Sequence, residues 1–496
     1  SFLSILNLMY TIKSNVEMGK SIKMNYQKNN ITFNRGYNIN VSVTLFSVTS
    51  IMIITFILYI YDFVYNYNTL LFILLVPLMI LFFFFNNDLF HPFNIFFITT
   101  QFLFVFNMID VNANKNYFRY GTLDSTYYDQ AFFWAILVII IWYLFMYLGY
   151  AYSRSTKTTK VVVMPIFKID NQKKIAIILI FVGIISYGIV VFLKGGFTGI
   201  IESLTQRVEA YAGLTYFIKL TGLVAVGSIM LLASGYRKIS MVLILFSFLL
   251  LASFGGRASA FLGSIFPYIV FYHYRIKKLS LIKLIPLAIL LFLFAIGLGN
   301  YRLYQEIRIN INGLYDLLSK VAYGTQGGEI LPSLVGSLLK GNIEYQYGST
   351  LVNIVFAPIP SSLWPNKPHI DESGIVGKAL MGSEYWGLPP GPYGISFFNF
   401  GFLGVIIIAF IVGIIVRKLY YKFVIKRSVS DIGLIFYILI IPNVFNFIST
   451  SSQINILWFS GIFILIKLLD NLISLLKQNN YLIAISSNKV SKLTSK

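Results

Sequence analysis

His369, Asp371 and Glu384 follow one another closely after a Lys367-Pro368 turn, with Glu372 among them. A hydroxyl that is to act as a nucleophile needs a general base within hydrogen-bond reach, and a histidine titrates in the useful range. His369 is therefore the first candidate base, Asp371 and Glu384 the second, and Glu329 a weaker one. Arg207, Arg257, Arg302 and Arg308, with Lys367, form another group. A guanidinium keeps its charge and grips phosphate oxygens through paired N–H donors, so several of them could hold a pyrophosphate without a metal.

Each residue also has a plainer reading. His369 reads equally well as a solvated loop histidine, and an arginine can pair locally, as Arg207 with nearby Glu209, or as Arg302 with Glu306, the latter at i, i+4 spacing. Arg257 follows two glycines and has no acid near it in sequence, which favours the binding role. Tyr345, Tyr347, Tyr385, Trp386 and Tyr393 could stack on sugar rings or belong to an interfacial aromatic belt. With no cysteine, disulfides, thiolate metal sites and a cysteine nucleophile are excluded. No Asp-x-Asp pair occurs, and neither metal nor cofactor is expected.

The elements that must position these groups are membrane helices. The chain is 57% hydrophobic and only 11% charged, with a mean hydropathy of +0.76, against about 25% charged residues in soluble domains. Apolar runs of about twenty residues recur along it, each long enough to span a hydrocarbon core. A lipid-exposed backbone must satisfy its own hydrogen bonds, so the expected fold is an all-α polytopic bundle. The apolar start Phe2–Tyr10 precedes its basic residues, the wrong order for a cleaved signal peptide, so the first span is expected to serve as the insertion signal.

About twelve spans are expected: 41–61, 69–85, 93–108, 131–150, 175–193, 214–233, 239–254, 258–272, 284–298, 397–416, 432–448 and 454–469. Residues 1–40 form a basic cytoplasmic tail, 41–299 a bundle of spans one to nine, and 300–396 one large extracytoplasmic loop. Residues 397–470 form spans ten to twelve, and 471–496 a second cytoplasmic tail. This arrangement puts 27 of the 39 Lys and Arg inside but only 5 of the 18 Asp and Glu, the asymmetry that insertion demands. The net charge of +21 is thus a matter of topology, and no nucleic-acid partner is expected. Spans seven and eight should meet outside at Gly255-Gly256-Arg257. Charges are nearly absent from the span middles, and no repeat relates the two halves; both features argue against a transporter.

The large loop reads Tyr345-Gln346-Tyr347-Gly348-Ser349, then Pro358-Ile359-Pro360, then Leu363-Trp364-Pro365-Asn366-Lys367-Pro368. Gly394 and Asn399-Phe400-Gly401-Phe402-Leu403-Gly404 open the next span. This run, with Gly255-Gly256-Arg257, the outer Arg207 and the Arg302 to Gly313 spacing, resembles the O-antigen polymerase (Wzy) family of oligosaccharide repeat-unit polymerases. Many relatives carry a glutamate just before the aromatic-Asn-Phe-Gly run, where this chain has Ile395.

The resemblance implies a fold like that of GT-C glycosyltransferases and an active site on the outer face of a bacterial cytoplasmic membrane. The implied reaction joins two polyprenyl-pyrophosphate-linked oligosaccharides in a lipid membrane. A sugar hydroxyl attacks the anomeric carbon and lipid pyrophosphate leaves, with inversion and without metal, as in the biosynthesis of O-antigen lipopolysaccharide or capsular polysaccharide. A chain-length-determining co-polymerase is the implied protein partner. The alternatives are an O-antigen ligase, and a flippase or transporter of the lipid-linked oligosaccharide.

Overall fold

A computed structural model describes residues 88–96, 104, 106–108, 125–155, 169–204, 211, 213–304, 327–357, 359, 364, 370–383, 387–425 and 430–494. Every regular element among the described residues is helical. In chain order these are α1 (Pro92–Phe96), α2 (Ser125–Ser155), α3 (Gln172–Leu193), α4 (Phe197–Glu202), α5 (Thr215–Thr221), α6 (Leu223–Ala233) and α7 (Arg237–Ser253). Then come α8 (Arg257–Ala260), a π-helical turn Phe261–Ile265, α9 (Phe266–Arg275) and α10 (Leu281–Tyr304). Short helices α11 (Leu331–Leu339), α12 (Ser349–Val352) and α13 (Glu372–Met381) precede α14 (Gly391–Tyr420), α15 (Asp431–Val444) and α16 (Thr450–Thr494).

Among the described residues, six stretches are long and apolar enough to cross a membrane: Gln130–Ser153, Gln172–Leu193, Thr215–Ala233, Ile282–Gly299, Gly391–Ile425 and Thr450–Gln478. They match the expected spans four, five, six, nine, ten and twelve, and the shorter apolar Asp431–Val444 matches span eleven. Helices α7 and α8–α9 stand where spans seven and eight were expected, with the break at Phe254-Gly255-Gly256. The first two expected spans and residues 1–40 lie outside the described residues, and span three is described only at Pro92–Phe96, 104 and 106–108.

Helix α2 packs along α14, and α3 along α6. Both contacts need small residues, because helices surrounded by lipid tails gain from close packing and not from removal of apolar surface from water. A Cβ at Gly413 would overlap the Met146 carbonyl, and one at Gly149 the Phe410 carbonyl. Gly183 against Val224 and Gly227 against Ala176 do the same for α3 and α6.

Two features differ from the sequence expectation. The loop expected over 300–396 contains α11, whose residues Leu331 to Leu338 are all buried, packed against α2 and α14. Nine residues of helix rise only about 13 Å, too short to register as a span. Span ten, expected as one helix over 397–416, begins at Gly391 and is broken at Phe400 (φ −141°, ψ 18°) and Gly401 (φ 60°, ψ −149°). The second pair of angles is accessible essentially to glycine alone.

Candidate functional site

Asp371 begins the best-defined polar site. It is the N-cap of α13, and its Oδ1 accepts from the Ser373 hydroxyl at 3.0 Å and the Ser373 N–H at 3.4 Å. Capping leaves Asp371 exposed but turns the next residue, Glu372, inward, where it is 4% exposed. Its carboxylate meets the start of α16. Oε1 accepts from the hydroxyls of Ser449 and, at 3.3 Å, Ser451, while Oε2 accepts from the Thr450 N–H at 3.1 Å. The first turn of a helix has unpaired N–H groups and a positive dipole end, so an anion from another segment serves as its cap. Burial pushes the Glu372 carboxyl above the usual range; the Ser449 and Ser451 hydroxyls pull it back, and Asp371 adds to the rise.

The network continues through Thr450, whose hydroxyl donates to the Thr350 carbonyl at 3.2 Å. The Thr350 hydroxyl donates to Asn399 Oδ1 at 2.9 Å, the Gly348 N–H donates to the same oxygen at 3.1 Å, and Asn399 Nδ2 donates to the Ile395 carbonyl at 2.8 Å. Four segments distant in sequence, around 348–350, 372, 399 and 449–451, are thereby fixed together.

Asn399 also marks the break in α14. Carbonyls released there find donors in the loop: Gln346 N–H to Phe398 O at 2.9 Å and Tyr347 N–H to Asn399 O at 3.0 Å. Tyr345 packs against Phe397, its ring 3.6 Å from where a Cβ on Gly401 would stand. Tyr347 takes φ 45°, a left-handed conformation that costs a residue with a Cβ about 1 kcal/mol or more, and its ring is 77% exposed. A strained backbone presenting an open aromatic face beside a broken helix fits a sugar-stacking platform.

Another expected ring, Tyr393, must be corrected. It is fully buried, edge-on to Trp142 and Phe104 and 3.4 Å from the Tyr143 hydroxyl, so it has no face open to a sugar. Its position in the first turn of α14 directs it into the bundle, which the loop-like Pro389-Pro390-Gly391-Pro392 sequence conceals.

On the cationic side, Arg257 opens α8 and Arg302 lies in the last turn of α10. Phe254, just before the Arg257 turn, packs with Val190, Ile200 and Tyr211. The turn therefore lies next to Ile200 and Tyr211, which flank position 207 in sequence. Arg207 itself, with Arg308, Lys367, His369, Glu384 and Trp386, lies outside the described residues. Glu329 is buried, and its N–H donates to Asn107 Oδ1 at 2.6 Å.

Glu372 and Asn399 carry the geometry without having been singled out as site residues. The Ser449-Thr450-Ser451-Ser452 run opening the last span is the one sequence signal that could have found them, since such residues gather at helix starts.

A second polar cluster forms around Asp88 and His91. Asp88 Oδ2 accepts from the hydroxyls of Tyr420 at 2.6 Å and Tyr274 at 2.8 Å, and His273 Nε2 stands 4.0 Å from its other oxygen. His91 Nε2 lies 3.0 Å from the Tyr150 hydroxyl, and the Arg417 guanidinium covers the Tyr150 ring. Burial lowers the pKa of His91 to about 3 and that of His273 to about 4, with Arg417 and Lys278 respectively adding to the effect.

No family model, curated protein or solved structure matches the chain.

Proposed function

We propose that this protein is a membrane glycosyltransferase of about twelve spans, acting on the outer face of a bacterial cytoplasmic membrane. It joins polyprenyl-pyrophosphate-linked oligosaccharide repeat units into a polysaccharide. The observation that carries the reading is the junction tying segment 345–353 and α13 onto the break in α14 and the start of α16. A transfer between two lipid-borne glycans needs a surface that is rigid, polar and at headgroup height, and these hydrogen bonds provide rigidity where a loop would otherwise move.

The roles follow the chemistry of the side chains. The exposed Tyr347 and the half-buried Tyr345 stack on sugar rings. His369 takes the proton of the attacking hydroxyl, with Glu384 as the second candidate. Asp371 acts chiefly as a helix cap, since its carboxylate is already engaged by Ser373. Arg207, Arg257, Arg302, Arg308 and Lys367 receive the negative charge that develops as the lipid pyrophosphate leaves. A chain-length-determining co-polymerase is the proposed protein partner.

Membranes containing the protein, given labelled lipid-linked repeat units alone, should yield a ladder of longer, still lipid-linked glycans. Product only on addition of a separate acceptor would identify a ligase instead, and no product at all would overturn the enzymatic reading. Arg257→Ala and Arg302→Ala should abolish the ladder while the protein stays inserted.

The break in α14 favours one competing reading, a transporter of the same lipid-linked substrate, because discontinuous helices supply ion and substrate sites in transporters. Here, however, the carbonyls of Phe398 and Asn399 are already occupied by loop N–H groups. The glycosyltransferase reading is therefore preferred.

A further inference from the structure

Lys219 is a cation that neither the arginine group nor the loop accounts for. It lies in α5, at the outer end of the Thr215–Ala233 span, on the fifth residue of the helix. Four residue steps along a helix amount to about 6 Å, which places it near the boundary between lipid headgroups and acyl chains. A lysine at that depth ordinarily extends along its own helix to reach water. Lys219 instead is part-buried, and its Nζ lies 3.4 Å from Asn455 Oδ1 on α16.

No carboxylate pairs with Lys219 among the described residues. An ammonium held between helices by one neutral amide is poorly compensated and calls for an anion. The amide that holds it is itself fixed, since Asn455 Nδ2 donates to Asn443 Oδ1 at 3.1 Å. Asn446 Oδ1, in the connection between α15 and α16, and Gln453 Oε1, in the first turn of α16, are buried and have no donor. Unmet acceptors of this kind suit a ligand that also carries hydroxyl groups.

The surroundings fit as well. Leu214, Phe217 and Ile218, which precede Lys219, pack in the cluster with Phe254, next to the Arg257 turn. Asn455 follows one turn after Ser451, which with Thr450 is bound by Glu372. Lys219 thus bridges the helix beside the expected cation cluster and the helix that anchors the outer loop.

We propose that Lys219 binds the phosphate of an outer-leaflet lipid, and that its ligand is the pyrophosphate of the lipid-linked substrate. The second part rests on the proposed function. A pyrophosphate bound at this depth would keep its polyprenyl chain in the bilayer and lift the attached sugar toward Tyr345 and Tyr347.

The test uses the full-length chain in neutral phosphatidylcholine nanodiscs, with polyprenyl pyrophosphate, phosphatidylglycerol and inorganic pyrophosphate as separate probes. Lys219→Gln keeps a donor for Asn455 and removes the charge, so it preserves the helix contact. The expected result is preferential binding of polyprenyl pyrophosphate by the wild type and a loss of about tenfold or more in Lys219→Gln, with Lys219→Arg retaining most of the affinity. Equal affinity of wild type and Lys219→Gln overturns the assignment of Lys219 and leaves the proposed function standing. Equal binding of phosphatidylglycerol overturns the assignment of the substrate pyrophosphate. If the wild type binds no polyprenyl pyrophosphate, both this inference and the proposed function fail.

Discussion

Tyr347 separates the needs of folding from those of function more sharply than any other single residue. Its left-handed backbone suits glycine, whereas its exposed ring contributes little to packing. Tyr347→Gly should leave stability unchanged or raise it by about 1 kcal/mol, and yet reduce polymer formation. Thermal unfolding in detergent and the glycan ladder measure the two effects separately. Glu372 gives the opposite pattern. Glu372→Ala strips the cap from α16 and should cost about 1–3 kcal/mol. Glu372→Gln keeps acceptor oxygen and removes a buried charge, so its cost should be under about 1 kcal/mol at neutral pH. Because the folded carboxyl titrates above its ordinary 4.5, its contribution is complete below that value and is lost as pH rises through the raised one. Wild type should therefore lose ground to Glu372→Gln as pH increases, and a constant difference between them from pH 4 to 8 would contradict this assignment.

The decisive element is α14, because one helix serves both the bundle and the site. Below its break it lies along α2, with Gly413 against the Met146 carbonyl; at the break Asn399 and the carbonyls of Phe398 and Asn399 are bonded by the loop. Gly413→Val should separate the two helices and lower the yield of folded protein, as seen by size-exclusion chromatography. Asn399→Leu is the finer probe. It keeps the bulk but leaves the Gly348 N–H and Thr350 hydroxyl without their acceptor, at a cost of about 1–3 kcal/mol each when buried. Protease sensitivity around residues 345–353 should increase while the transmembrane helices stay intact. Unchanged protection of that segment would mean that the loop is held by something other than Asn399.

Across the whole molecule, the two ends of the bundle respond to different conditions. At the end around Asp88, His91 and His273 are buried and neutral, facing Tyr150 and Arg417 in one case and Asp88 and Lys278 in the other. A histidine whose folded pKa is depressed contributes stability above its unfolded value of 6.5, and that stability is lost as pH falls toward about 3 or 4. Each should cost up to about 1.4 kcal/mol per pH unit below 6.5. The pH dependence of thermal unfolding should become shallower in His91→Gln.

The sequence by itself determined the helices and the turns of the described spans. Apolar runs such as Ile175–Leu193 are long enough to cross a bilayer wherever they lie in the chain, and the Gly255-Gly256 turn interrupts its helix locally. Only the tertiary structure decided that α11 is buried, that Tyr393 belongs to the core, and that α14 breaks where loop N–H groups wait for its carbonyls. It also decided that Glu372, 77 residues from Ser449, caps the last helix, and that Lys219 meets Asn455 across 236 residues. The physical reason is range: hydrophobic span and backbone turn are set by neighbours in sequence, whereas the partner of a buried charge is set by which helices meet.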